Sequence, residues 1–121
     1  MSENKKILLV DDEADIALAF SLGLESHGFS VDAFTSSIKA LANFKPDFYT
    51  LALLDIKIPE MDGLELCTKI REKDKKIKVC FISAYDVDYL AVKEYSRCVI
   101  KKPITIDDLI NKINKEMQEK N

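Results

Sequence analysis

The sequence predicts a doubly wound α/β fold, in which a parallel sheet of five strands carries helices on both faces. Three observations lead to this prediction. Short apolar runs alternate with segments of helical periodicity along the 121 residues. The runs are apolar throughout, as is typical of strands that are buried on both faces. Parallel strands joined through helices follow right-handed crossovers, which leaves few topologies. The length suits one domain, so we expect residues 1–121 to form a single domain.

The first half of the chain contains three predicted strands, at 7–10, 30–34 and 50–54. Between the first two, residues 13–27 form a predicted helix that ends at Gly28 and whose apolar face carries Ile16, Phe20 and Leu24. Before the third strand, Ser36 or Ser37 can cap a short helix, which must end before Pro46. The apolar side chains of that helix are Ile38, Leu41 and Phe44.

The second half of the chain repeats this order, with two further predicted strands at 79–82 and 99–100. A turn through Pro59 and Gly63 leads into a helix with apolar residues Leu64, Cys67 and Ile70. A weaker helix is predicted at 87–95. The last helix begins with a capping box of Thr105 and Asp108. Its apolar stripe consists of Ile106, Leu109, Ile110, Ile113 and Met117.

Polar side chains follow four of the predicted strands, where each strand ends: Asp11 and Asp12, Asp55, Ser83, and Lys102. The carboxyl ends of parallel strands meet at one edge of the sheet, where doubly wound sheets bind ligands. Neighbouring carboxylates repel unless a hard cation lies between them, and Mg²⁺ leaves positions open for phosphate oxygens. An aspartate in such a site can act as a nucleophile, while a lysine and a hydroxyl hold a phosphoryl group. The sequence therefore predicts a Mg²⁺ site at this edge, in which one of the aspartates could accept a phosphoryl group.

Each of these residues also has an ordinary structural interpretation. Asp11, Asp12 and Glu13 could simply cap the first helix and favour its positive end. Asp55 could form a turn, Ser83 could cap a helix, and the lysine-proline pair after the fifth strand could be an exposed turn. The placement of all of them at the ends of successive strands favours the chemical interpretation.

Four segments resemble the receiver domain of two-component response regulators, and together they span nearly the whole chain. They are residues 7–13 (ILLVDDE), 53–63 (LLDIKIPEMDG), 81–84 (FISA) and 101–104 (KKPI). One such segment would be weak evidence, but four in the same order at strand ends are highly specific. The resemblance implies a flavodoxin-like sheet with strand order 2-1-3-4-5.

The resemblance also implies a phosphoacceptor and a metal site. Asp55 would accept a phosphoryl group from the phosphohistidine of a sensor histidine kinase or a phosphotransfer protein. Asp11 and Asp12 would hold Mg²⁺ directly or through water, and Asp55 itself and the backbone carbonyl of Lys57 would be further ligands.

Two more matched residues would respond to the phosphoryl group. Lys102 would pair with one phosphoryl oxygen, and Ser83 would form a hydrogen bond with another. The Lys102–Pro103 peptide is expected to be cis. Phosphorylation adds nearly two negative charges, and the movement of both side chains toward them would shift the face of the fourth helix, fifth strand and fifth helix. That shift would change the binding of a downstream protein.

Two features depart from the pattern of the family. Receivers usually carry an aromatic residue on strand five, three positions before the site lysine, where this chain has Val99. The stretch from Ser83 to Lys102 is about three residues short, so we expect a short or irregular fourth helix and an altered output surface. Lys57 and Tyr85 each follow a site residue by two positions. They either shape water access to the phosphoryl group or are solvated loop side chains.

Composition and charge restrict the function further. The net charge of −3 and the pI near 5.2 provide no general basic field for nucleic acid. No apolar segment suits a signal peptide or a membrane span, so we expect a cytoplasmic protein. His27 is expected at the surface. We expect three reduced and buried thiols in such a protein: Cys67, Cys80 and Cys98.

These features favour a signalling receiver that is monomeric when unphosphorylated, carries no effector domain and catalyses only its own phosphorylation and dephosphorylation. It would dock to a downstream protein, relay the phosphoryl group or serve as a sink, as a complete protein or as a piece of a longer chain.

A phosphatase would need a second acid where Lys57 stands. A flavin carrier would need a glycine- and hydroxyl-rich loop after the first strand, where this chain is acidic. A receiver that only binds partners is the remaining alternative.

Overall fold

Five strands and five helices alternate along the part of the chain that the computed structural model describes, residues 5–84 and 89–118. The strands are β1 (Lys5–Val10), β2 (Phe29–Phe34), β3 (Leu51–Asp55), β4 (Lys78–Ser83) and β5 (Cys98–Lys101). The helices are α1 (Ala14–Glu25), α2 (Ser37–Ala42), α3 (Gly63–Lys73), α4 (Tyr89–Val92) and α5 (Ile106–Gln118). Within those ranges, no helix has the length and apolar character needed to cross a membrane.

The strands form one parallel sheet in the order β2-β1-β3-β4-β5, as predicted. Every predicted strand is present, and its ends differ from the predicted ones by at most two residues. The central strand, β3, is buried at all five positions. An apolar run without alternation therefore identified it correctly.

Both faces of the sheet carry a hydrophobic core, because the side chains of one strand point alternately to the two faces. On β1, Leu8 and Val10 belong to one core, and Ile7 and Leu9 belong to the other. Helices α2, α3 and α4 contribute to the first core, whereas α1 and α5 contribute to the second. The prediction of helices on both faces is confirmed.

Local signals set the ends of most helices. Gly28 follows α1 with φ +93°, a conformation that favours glycine. Side chains that accept a hydrogen bond from a backbone N–H three residues on cap α2, α3 and α5, namely Ser36 (3.2 Å), Asp62 (2.9 Å) and Thr105 (3.1 Å). Of the two serines proposed for α2, Ser36 is thus the cap.

The apolar face predicted for α2 is wrong in part. The helix ends at Ala42, so Phe44 packs into the core from the loop after it. Ile38 is 47% exposed. The buried side of α2 consists instead of Ser37 and Ala40, because small side chains let a short helix lie close against its neighbours.

The structure describes only part of the segment for which a short or irregular fourth helix is predicted. The helix described there, α4, has four residues, of which Val92 joins the core. The first positions of the helix predicted at 87–95 lie outside the described residues, as does Tyr85.

The prediction of three reduced thiols is wrong for two of the cysteines. Cys80 and Cys98 form a disulfide with a Cα–Cα distance of 4.6 Å, while Cys67 is a buried free thiol. The register of β4 and β5 places Cys80 opposite Cys98. Their separation of 18 residues gave no sign of this pairing, because the register of a four-residue strand depends on tertiary packing.

Candidate functional site

Side chains from four strand ends meet at the carboxyl edge of the sheet. Asp11 follows β1, Asp55 ends β3, Ser83 ends β4, and Lys102 follows β5. The chain order of these residues is scattered, but β1, β3, β4 and β5 are consecutive neighbours in the sheet. The fold therefore places residues that are up to 91 positions apart within contact distance.

The three aspartates form a cluster suited to a hard cation. Asp11, Asp12 and Asp55 each offer a carboxylate oxygen, and these oxygens all lie within 4.8 Å of one another. Asp11 is fully buried, Asp55 is 5% exposed and Asp12 is exposed. The N–H of Glu13 donates to Asp11 at 3.0 Å and fixes that carboxylate. Oxygen donors of this kind and spacing could hold a hard divalent cation.

Lys102 connects the two buried carboxylates. Its ammonium group donates to Oδ2 of Asp11 at 2.7 Å and lies 3.4 Å from Oδ2 of Asp55. Its peptide bond to Pro103 is cis, as predicted. The outer part of the site adds Glu13, whose carboxylate lies 3.9 Å from the same ammonium group. Sequence reasoning missed this contact, because Glu13 reads equally well as part of a helix start.

The pKa values of Asp55 and Lys102 follow from this arrangement. Burial raises the pKa of Asp55 from 3.8 to about 6, although the Lys102 charge opposes the rise and the Asp11 charge supports it. Burial alone would lower the pKa of Lys102. Its hydrogen bond to Asp11 and the charges of Asp55 and Asp11 outweigh that effect and raise it. At neutral pH the site therefore holds an ionised carboxylate beside an ammonium group.

A tight loop after β3 holds the next residues against the strand end. The N–H of Gly63 donates to the carbonyl of Ile56 at 2.8 Å. A Cβ at position 63 would lie 2.2 Å from the carbonyl oxygen of Asp55, so only glycine fits there. The N–H of Lys57 donates to the Asp55 carboxylate, and the Lys57 side chain is exposed.

The hydroxyl-bearing residue Ser83 is 2% exposed, and its carbonyl accepts the N–H of Lys102 at 2.8 Å. This backbone contact ties the end of β4 to the residue that carries the ammonium group. Ser83 and Lys102 thus belong to one hydrogen-bonded unit at the edge of the sheet.

Strand β5 has Val99 at the position where receiver domains, the family that the sequence resembles, usually carry an aromatic residue. Val99 is half-buried and lies opposite Phe81 in the β4–β5 register. Phe81 is fully buried, and its ring contacts Tyr95 edge-on at 6.5 Å between centroids. Sequence reasoning could not assign this contact, because the segment between β4 and β5 has no strong periodicity.

The comparisons with known proteins agree with this geometry. Residues 7–114 match the family model of the response regulator receiver domain. The chain is 33% identical to the response regulator receiver protein CpdR of Brucella abortus (strain 2308), over 92% of this chain and 95% of that protein. It is 30% identical to sporulation initiation phosphotransferase F of Bacillus subtilis (strain 168), over 93% of each.

A solved structure gives the same result for the fold. The CheY-like receiver domain protein of Methanospirillum hungatei JF-1 superposes with a TM-score of 0.87, at 30% identity, over 95% of this chain and 94% of that one. Other curated relatives are longer, and the chain spans only a quarter to about half of their length.

Proposed function

The chain belongs to the response regulator receiver family of two-component signalling, and we propose that it accepts a phosphoryl group on Asp55 in a Mg²⁺-dependent reaction. The donor is a phosphohistidine on a sensor histidine kinase or a phosphotransfer protein. The observation that carries the proposal is the position of Asp55, a buried carboxylate with two further carboxylates and one ammonium group beside it. Family members generally catalyse no reaction beyond their own phosphorylation, and we propose the same for this chain.

Asp55 is the nucleophile of this reaction. With a pKa of about 6, its carboxylate is ionised at neutral pH and can attack the phosphorus atom. A new O–P bond forms while the P–N bond to the imidazole breaks, and the imidazole leaves with the bonding electrons and takes up a proton. The product is an aspartyl phosphate at position 55.

Asp11, Asp12 and Asp55 are the residues that would hold the metal, together with the backbone carbonyl of Lys57. The spacing of the three carboxylate oxygens supports this assignment. When bound, Mg²⁺ neutralises charge on the transferring phosphoryl group and orients its oxygens. The burial of Asp11 and its contact with the N–H of Glu13 keep one of its ligands in place.

Lys102 and Ser83 bind the phosphoryl group once it is attached. The ammonium group of Lys102 already lies 3.4 Å from the carboxylate that is modified, so a short movement brings it to a phosphoryl oxygen. Ser83 lies at the end of the adjacent strand, and its hydroxyl is the second donor. Because the backbone N–H of Lys102 donates a hydrogen bond to the carbonyl of Ser83, the two donors would move together.

The surface beside the site suits a phosphodonor protein. A cavity of about 520 Å³ lies between α1 and the ends of β4 and β5, and its apolar residues are Ile16, Ala19, Phe20, Ala84, Pro103 and Ile104. Lys102 and Glu13 form the side of this cavity that faces the acidic cluster. A donor that places an apolar surface here would bring its phosphohistidine to Asp55.

We further propose a single receiver domain in the cytoplasm, monomeric before phosphorylation, that transmits the signal to a downstream protein without direct nucleic-acid binding or membrane insertion. Val99 replaces the usual aromatic residue of β5, and Tyr95 contacts Phe81. These differences support an output surface unlike the common dimerising one. Sedimentation of the phosphorylated chain at high concentration tests this point, since a dimer would contradict it.

The experiment for the main proposal measures the intact mass of the protein after incubation with a small phosphodonor. We expect one phosphoryl adduct that requires Mg²⁺ and disappears in Asp55→Asn or in excess EDTA. Asp47→Asn is the matched control, because Asp47 precedes β3 at the opposite edge of the sheet and its left-handed backbone tolerates asparagine. If no donor produced an adduct, the alternative of a receiver that only binds partners would be favoured. An adduct on Asp55→Asn would show that Asp55 is not the phosphoacceptor.

A further inference from the structure

A second charged region lies at the amino edge of the sheet, away from the aspartate cluster. A cavity of about 290 Å³ opens there between the end of α3, the start of β4 and the segment before β5. Its charged lining consists of one carboxylate, Glu116, and six cations: Arg71, Lys75, Lys76, Lys78, Lys93 and Arg97. We call these six side chains the basic cluster.

The basic cluster stands out against the charge of the chain. The protein has 18 cationic and 21 acidic side chains and a net charge of −3. Among the residues that line this cavity, cations outnumber carboxylates six to one, and Glu72 and Glu94 of the adjoining cavity change the ratio only to six to three. Nearby Asp74 is a fourth carboxylate; its two oxygens accept the backbone N–H groups of Asp47 and Lys76, which fix its position and leave its charge.

Hydrogen bonds to backbone carbonyls position two cations of the cluster. The guanidinium of half-buried Arg71 donates to the carbonyl of Tyr95, and the ammonium of half-buried Lys78 donates to the carbonyl of Glu116 at 2.8 Å. A bond to a carbonyl positions a cation without cancelling its charge. Arg71 keeps further N–H groups for a ligand, since a guanidinium has five.

Complementation of helix dipoles explains only part of the cluster. Arg71 lies in the last turn of α3, where a cation stabilises the helix. Lys75, Lys76 and Lys93 lie outside the helices, and Lys78 and Arg97 lie at or before the start of a strand. Lys93 directly follows α4 and can stabilise its carboxyl end, but helix stabilisation does not account for the other four side chains, which nevertheless converge on one cavity.

We propose that the basic cluster binds a compact oligophosphate, namely inorganic di- or triphosphate or the phosphate chain of a nucleotide. Multiple phosphate charges match a surplus of cations, and guanidinium and ammonium groups are the usual donors to phosphate oxygens. The cavity, at about 290 Å³, is slightly smaller than the usual range of about 300–1,000 Å³ for ligand sites, which suits a phosphate chain better than a larger ligand. This site is distinct from Asp55 and does not depend on phosphoryl transfer.

The surrounding charge favours a small ligand over nucleic acid. A long polyanion must lie along the surface beyond the cavity, and this chain is acidic overall. A compact ligand needs only the cavity itself. The cavity next to it, of about 360 Å³, adds Lys112 and Lys115 and shares Arg97 and Glu116, so it extends the positive surface by a short distance.

The test is calorimetric titration with pyrophosphate, tripolyphosphate and ATP in EDTA, with amide chemical shifts to locate the site. We expect saturable binding, shift changes at residues 75–79 and 93–97, and weaker affinity at higher salt. Lys75→Gln/Lys93→Gln should weaken binding about tenfold. The matched control Lys5→Gln/Lys39→Gln removes the same charge from exposed positions elsewhere and should change affinity less than about twofold.

The outcomes separate the sources of the ligand. Equal affinity for ATP and tripolyphosphate assigns recognition to the phosphate chain, and much tighter binding of ATP assigns it to a nucleotide. Asp55→Asn should bind as the native chain does, whatever the result of the phosphorylation experiment. The proposal is overturned by absence of saturable binding, by equal weakening in both double variants, by shift changes confined to the Asp55 edge, or by tighter binding of a short oligonucleotide.

Discussion

At the carboxyl edge of the sheet the charged side chains are mostly buried and paired with one another, whereas at the amino edge they lie mostly exposed around an open cavity. Asp11 and Lys102 are 0% and 8% exposed and 2.7 Å apart. Lys75, Lys76 and Lys93 of the basic cluster are exposed. Both sets of charges lie at strand ends of one sheet. The loops around each set therefore determine how far it is exposed to water.

This difference separates two ways of using charge. Buried charges interact strongly, shift one another's pKa values and can carry chemistry at a single atom. Exposed charges are screened, so each contributes little, and only their sum attracts a ligand. Single substitutions should therefore have large effects at the carboxyl edge and small effects at the amino edge.

The largest effect is expected from Lys102→Met. The substitution leaves Asp11 and Asp55 as buried carboxylates without their cation, which should lower the free energy of unfolding by about 3–5 kcal/mol at pH 7.5 in EDTA. Urea denaturation measures the change. Lys101→Met, at an exposed position on the same strand, should cost less than about 1 kcal/mol. Equal stability of the two variants would mean that Lys102 is not needed to compensate the acidic cluster.

The next effect is a pH dependence that Asp55→Asn should remove. The pKa of Asp55 is about 6 in the fold against an ordinary 3.8, so the folded chain holds this proton more tightly than the unfolded chain does. Ionisation of Asp55 therefore lowers stability progressively between about pH 4 and pH 6, by up to about 3 kcal/mol at neutral pH. Without metal, Asp55→Asn should be more stable than the native chain at pH 7, and the difference should vanish near pH 4. Parallel stability curves would contradict the raised pKa.

Addition of Mg²⁺ should stabilise the chain by a somewhat smaller amount. A ligand at 100 times its Kd adds about 2.7 kcal/mol to the free energy of unfolding. The gain should decline below about pH 6, where a proton competes for Asp55. Thermal melting with increasing Mg²⁺ measures it. Asp12→Asn should weaken the response, and Asp15→Asn, an exposed acid outside the cluster, should keep it.

The smallest effect is expected at the amino edge. Lys75→Gln and Lys76→Gln should each change the free energy of unfolding by less than about 0.5 kcal/mol, because both side chains are exposed. The same urea titration measures these changes. A loss above about 1 kcal/mol would show that these charges also stabilise the fold and would break the contrast between the two edges.

The sequence predicted the strands and the aspartate cluster for different reasons. Buried strands such as β3 appear as continuous apolar runs, which any single sequence displays. The cluster followed from one rule of parallel sheets, that strand ends meet at one edge. Neither inference needed the details of packing.

The incorrect and missed predictions concern details that depend on tertiary packing. The Cys80–Cys98 disulfide depends on the register of a four-residue strand. The buried side of α2 depends on which side chains are small enough for close contact. The basic cluster was hidden by the negative total charge, since composition reports a sum and says nothing about where the charges gather.

Gly63 has a consequence for how this sequence can change. An aspartate can be replaced by glutamate, a serine by threonine and a lysine by arginine with some chemistry kept. At position 63 the smallest possible addition, one methyl group, would lie 2.2 Å from the Asp55 carbonyl oxygen. Gly63 has no functional group, yet no other residue fits at its position. Any lineage that keeps the conformation of this loop must therefore keep glycine at position 63.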